Sequence, residues 1–98
     1  MIGISSDIRM KTNFRNIDPD EILEKLERLP VSKWKYIGDR KGPDHIGPMA
    51  QDFRSIFEVG ESNTVIHPVD AWGVALAAIQ ALSAKVKRLE EMAHAYAE

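Results

Sequence analysis

The sequence predicts an α+β domain: a small antiparallel sheet with short helices, leading into one long C-terminal helix with coiled-coil character. Three observations carry this. An amphipathic segment opens at Asp18-Pro19 and stops at Pro30. Two β-prone runs flank a polar turn over residues 38–43. From Trp72 to Tyr96, apolar residues recur at spacings that alternate three and four.

Ninety-eight residues with 44% hydrophobic content suit one domain, residues 1–98, since the chain is too short for a second core. Many of the apolar residues are alanines in the last third, so a single chain buries limited area and oligomerisation is an economical way to complete the core. A net charge of -2 argues against a general nucleic-acid binder, which needs an excess of Lys and Arg on one face. The absence of cysteine excludes disulfides and thiolate metal sites, and fits folding in a reducing compartment. No unbroken apolar run long enough to span a bilayer and no basic-then-apolar leader is present, so no membrane partner is expected.

The elements follow in order. Residues 1–17 read as irregular or extended, and Ile2, Ile4, Ile8 and Met10 share even parity, so a strand would put them on one face. Asp18 reads as an N-cap, with Pro19 at the first helical position and Glu21 completing a capping box. Ile22, Leu23, Leu26 and Leu29 form the apolar stripe of that helix. Over residues 31–37, Trp34 and Tyr36 share a face opposite Lys33 and Lys35, as in a half-buried strand, and a second short strand around His45-Ile46 returns antiparallel to it.

After Gly47-Pro48, the residues Met49, Ala50, Phe53, Ile56 and Phe57 predict a short helix that packs its aromatics on the sheet. Thr64-Val65-Ile66 reads as another strand, and Pro68 with Asp70 prepares the last helix, expected over 71–98. Its register places Trp72, Ala75, Ile79, Leu82, Val86, Leu89, Ala93 and Tyr96 on one seam. The first half, with Trp72 and Gly73, can pack on its own domain. Beyond Leu82, nothing else in the chain is left to cover Val86 and Leu89, so this part reads as an oligomerisation stalk.

By residue type Ser5-Ser6-Asp7-Ile8-Arg9-Met10-Lys11 reads either as an ordinary solvated loop or strand entry or as the one stretch with a plausible nucleophile. A serine hydroxyl needs a neighbouring base, and a lysine serves when burial or nearby positive charge lowers its pKa. Arg9 and Lys11 supply the charges. Ser6 Oγ could attack the carbonyl of Ser5, with Lys11 as the proton acceptor. Neither a strand nor a helix brings Ser6 and Lys11 together, because a helix sets them roughly 140° apart, so the backbone must turn between them. His45, His67 and His94 lack metal-ligand spacing, no phosphate-cradling motif occurs, and no cofactor is expected.

Ser6-Asp7-Ile8-Arg9-Met10-Lys11 resembles the S-D-x-R-x-K signature of the C-terminal intramolecular chaperone domain of phage endosialidases and tail fibres, the S74 peptidase family. Asn13, the helix ending in Leu-Pro, the aromatic strand Trp34-Lys35-Tyr36, the segment His45-Ile46-Gly47-Pro48-Met49-Ala50-Gln51, similar to a family G-x-x-A-Q/E pattern, and the alanine-rich last helix continue the likeness in order.

The resemblance implies a homotrimer. It also implies templating of an upstream fibre or spike segment of the same chain, and a single self-cleavage before Ser6 by a Ser6–Lys11 dyad that leaves residues 1–5 upstream. Asp7 and Arg9 would then support the loop, Arg9 by positive potential or by orienting it. Gln51 could hydrogen-bond the cleavage region, with a helix-start role as the plainer reading. The expected setting is the host cytoplasm during virion assembly, with release from the mature fibre. The rival readings are a non-catalytic coiled-coil trimerisation module and, by the same resemblance, a self-releasing domain of membrane-tethered transcription factors.

Overall fold

The computed structural model describes residues 3–97, so the expectations placed on Ile2 and on Glu98 lie outside the described residues. The element order is a single 3-10 turn at Ile8–Met10, α1 (Pro19–Glu27), β1 (Ser32–Trp34), β2 (His45–Gly47), α2 (Ala50–Phe57) and α3 (Pro68–Ala97). The architecture is α+β, with one two-stranded antiparallel sheet, three α-helices and a long C-terminal helix.

Helix α1 forms where its caps dictate. The Asp18 carboxylate accepts a hydrogen bond from Asp20 N–H at 3.0 Å, and Pro19 takes the first position, where its missing N–H is no loss. Glu21 turns toward Lys25 one helical turn on, at 3.1 Å, rather than back toward the cap, so the expected reciprocal capping box is not made. The half-buried Ile22, Leu23, Leu26 and Leu29 face inward, and α1 packs on α3, whose buried residues Ala77, Ala78 and Ala81 are small enough for two helices to approach closely.

Strands β1 and β2 pair antiparallel with Ser32 opposite Gly47, Lys33 opposite Ile46 and Trp34 opposite His45. The Trp34 indole stacks on His45 with centroids 5.1 Å apart, and Tyr36 sits edge-on to both rings. Lys35 Nζ bonds the Gly42 carbonyl at 2.6 Å and the Asp44 carboxylate at 3.1 Å, tying the turn to the strands.

Two expectations are corrected here. Helix α2 buries Phe53 and Phe57, but it rests on α1 and not on the sheet; among the described residues neither strand packs on a helix. Thr64-Val65-Ile66 is not a strand. Ser62 Oγ accepts from Thr64 N–H at 3.0 Å and pairs with the Thr64 hydroxyl at 2.9 Å, a local arrangement that competes with strand formation, and among the described residues no partner strand lies alongside. The turn that Ser6 and Lys11 require between them is present, as the 3-10 turn at Ile8–Met10.

Helix α3 begins three residues earlier than expected because His67 caps it. Its Nδ1 accepts from Val69 N–H at 3.2 Å, and its carbonyl accepts from Asp70 and Ala71. The heptad face of α3 lies apart from the buried alanines. Leu82 is 50% exposed and Leu89 58%, and Trp72 is exposed as well, so it lies on this open face and not in the chain's own core.

Over its most apolar 18 residues the helix reaches a mean hydropathy of 1.2, enough by length and composition to cross a membrane. Its longest unbroken apolar run, residues 71–79, is short of a bilayer's width, and alanines supply much of the average. The whole chain exposes 8587 Å². A folded monomer of 11.0 kDa exposes about 5,600 Å². The radius of gyration, 17.6 Å, likewise exceeds the roughly 12.6 Å of a compact domain this long.

Candidate active site

The site is built on the 3-10 turn. Asp7 sits just before it in extended conformation (φ -70°, ψ 127°), and its carboxylate accepts from Arg9 N–H at 2.9 Å, capping the turn. The same carboxylate takes the Arg9 guanidinium in a fork, Nε at 3.2 Å and a terminal nitrogen at 2.9 Å. Backbone bonds from Met10 N–H to the Asp7 carbonyl (3.0 Å) and from Lys11 N–H to the Ile8 carbonyl (3.3 Å) close it, and Lys11 returns to extended backbone. One tight turn therefore reverses the direction in which a strand would have pointed Lys11.

The consequence is contact between the two residues singled out from the sequence. Lys11 Nζ donates to Ser6 Oγ within one chain, and both side chains are exposed to solvent. Hydrogen bonding from the Arg9 side chain, then from its backbone N–H, holds the Asp7 carboxyl below its ordinary value of 3.8, and the same contact raises Arg9. Because the guanidinium is paired with Asp7, the geometry favours Arg9 as a brace of the turn over Arg9 as a source of positive potential. Gln51, at the second position of α2, is exposed, and among the described residues no hydrogen bond joins it to Ser6 or Lys11.

A groove runs beside Lys11 that no sequence pattern announced. Ser5, Met10 and Lys11 form one side, and the segment before and into α3, with Glu61, His67 and Asp70, forms the other. These sides lie some fifty residues apart in the chain, and local periodicity carries no signal for such an approach. Among the described residues, no group of His, Cys, Asp and Glu is arranged to hold a metal ion.

The family model described as chaperone of endosialidase, a peptidase S74 family, matches residues 6–59, more than half of the chain. The chain belongs to this family. The S74 match begins on Ser6 and ends just after α2, so it takes in the 3-10 turn, the hairpin and both short helices but not α3. No curated protein matches the chain. Membership supports a chaperone role and a self-cleaving, peptidase-type domain.

Proposed function

We propose that the chain is an intramolecular chaperone that templates homotrimeric folding of a phage tail fibre or spike, then releases itself by cutting the bond between Ser5 and Ser6. The observation that carries the catalytic part is the Lys11 Nζ to Ser6 Oγ hydrogen bond. In the proposed reaction, Ser6 Oγ attacks the Ser5 carbonyl carbon while neutral Lys11 takes its proton. The bond from Ser5 carbon to Ser6 nitrogen then breaks, and Lys11 returns the proton to the leaving amine. Water hydrolyses the resulting ester, leaving a Ser5 carboxylate and regenerating the Ser6 hydroxyl.

Assembly supplies what the single chain lacks. Desolvation and nearby positive charge each help a lysine give up its proton, and in the single chain Arg9 is paired with Asp7 while Lys11 is exposed. Its neighbours Ile8 and Met10 are exposed too, an apolar surround that a second chain would cover together with Lys11. Trimerisation through the α3 seam is supported by the exposed heptad residues and by the excess surface. About 3,000 Å² beyond a monomer's share lies within the range of obligate interfaces. Aligning three chains in register lowers the entropic cost of nucleating a long, non-locally paired fibre. The reading places the protein in the host cytoplasm during virion assembly, with no nucleic-acid or membrane partner.

The test is a fusion carrying a folding fibre segment upstream of Met1, followed by mass spectrometry. Cleavage is expected between Ser5 and Ser6. Ser6→Ala abolishes it, Lys11→Arg nearly does so because a guanidinium stays protonated, and Ser5→Ala is tolerated. Cleavage of the Ser6→Ala fusion at the same bond without added protease overturns the serine mechanism. The rival reading, a trimerisation module without catalysis, is favoured if the unmodified fusion keeps its intact mass after long incubation. The natural residues preceding Met1 separate a fibre from a membrane-tethered transcription factor.

A further inference from the structure

The hairpin stands apart from the helical body: among the described residues, α1 packs on α3 and on α2, and neither strand packs on any of them. A lone two-stranded hairpin is marginal in water. This one has strands of three residues and two open edges, and Ile46 on the face it shares with Lys33 is 73% exposed. Something must cover it in the working molecule.

Charge indicates what. Residues 31–47 carry four cations, Lys33, Lys35, Arg40 and Lys41, against Asp39 and Asp44, and only Lys35 is ion-paired among the described residues. The stretch from Asp18 through α1 to Arg28 carries five carboxylates against Lys25 and Arg28. Glu24 and Glu27 are exposed on the side of α1 away from its apolar stripe and enter no ion pair among the described residues. A basic, partly apolar projection and an acidic helix face thus sit on one chain without touching each other.

We propose that the Lys33–Ile46 face of the hairpin docks on the acidic outer face of α1 in a second copy of this chain. The contact is heterologous, and repeated three times around the α3 axis it closes into a ring. It rests on the trimer reading above and adds to it a second interface, away from the seam. The surface left open by the single chain is larger than a standard pairwise interface uses, about 800 Å² per partner, which leaves room for both contacts.

The experiment uses the full chain, which has no cysteine of its own. Lys33→Cys with Glu24→Cys in one chain is expected to give a ladder of disulfide-linked dimers and trimers on oxidation, and neither single variant does. In parallel, Glu24→Lys with Glu27→Lys weakens assembly about tenfold or more by replacing opposite charges with like ones, and adding Lys33→Glu with Lys41→Glu restores it.

A trimer that gives no ladder and shows only additive effects overturns the hairpin contact while leaving the seam standing. A disulfide that forms within one chain overturns it as well, and so does a hairpin whose ladder is lost when the upstream fibre is fused, since the fibre is then its occupant. An unmodified chain that stays monomeric at all concentrations overturns both this contact and the trimer.

Discussion

Replacing Leu89 on the open seam of α3 is the sharpest test of assembly, because the single chain fixes how much burial is left to gain. Leu89 is 58% exposed. Fully burying a leucine is worth roughly 1.5–3 kcal/mol, so covering the remaining half or so contributes about 1–1.5 kcal/mol per chain and about 3–5 kcal/mol over a trimer. Leu89→Ala should therefore weaken trimerisation by about a hundredfold or more. Leu89→Asp, which adds an unpaired charge to the seam, should abolish it in the micromolar range. Sedimentation equilibrium over a concentration series reads both, with Glu91→Ala, which lies off the seam, as the control expected to assemble normally. If Leu89→Asp stays trimeric with the stability of Glu91→Ala, the seam is elsewhere and the heptad argument is wrong.

Because Lys11 meets Ser6 within one chain, trimers mixed from Ser6→Ala and Lys11→Ala chains should cut no better than either parent, and restored cleavage would place the dyad across chains. Asp7 is depressed by Arg9, so its contribution to the turn is present above its ordinary range near pH 4 and is lost as pH falls through its lower folded value. The Asp7 carboxyl in an NMR titration should show a midpoint under 3.8, and Arg9→Ala should bring it back up. Glu58 ends α2 in the left-handed region at φ 56°, so Glu58→Gly should stabilise the domain by about 0.5–1 kcal/mol, seen as a rise in Tm.

What could be read from the sequence was what neighbouring residues decide among themselves. Asp18, Pro19 and Pro30 bracket α1, and two short runs around a polar turn announce the antiparallel hairpin, though not the register that pairs Trp34 with His45. The long helix and its open seam were also visible, as a spacing no other segment could satisfy. Packing between distant segments was not. The pattern of Phe53 and Phe57 shows that a face is buried but not which partner buries it, and α1 rather than the sheet takes that place. Thr64-Val65-Ile66 has β-prone side chains, yet a strand exists only where a second strand meets it. At the candidate site, the sequence demanded a turn between Ser6 and Lys11 without supplying its form. The Asp7 cap and its Arg9 fork, which build that turn, use residues the motif had already drawn attention to.

The compactness of that turn bears on the order of events during synthesis. The hydrogen bonds that shape the turn and join Lys11 to Ser6 all lie between residues 6 and 11, so the reacting pair can form soon after this stretch leaves the ribosome. Helix α3 is translated only after both short helices and the hairpin. Under the proposed mechanism the chemistry is thus made early and the three-chain contact that desolvates it comes last. Chain elongation itself then acts as the timer, holding back the cut until the fibre segment translated ahead of it has been gathered into a trimer.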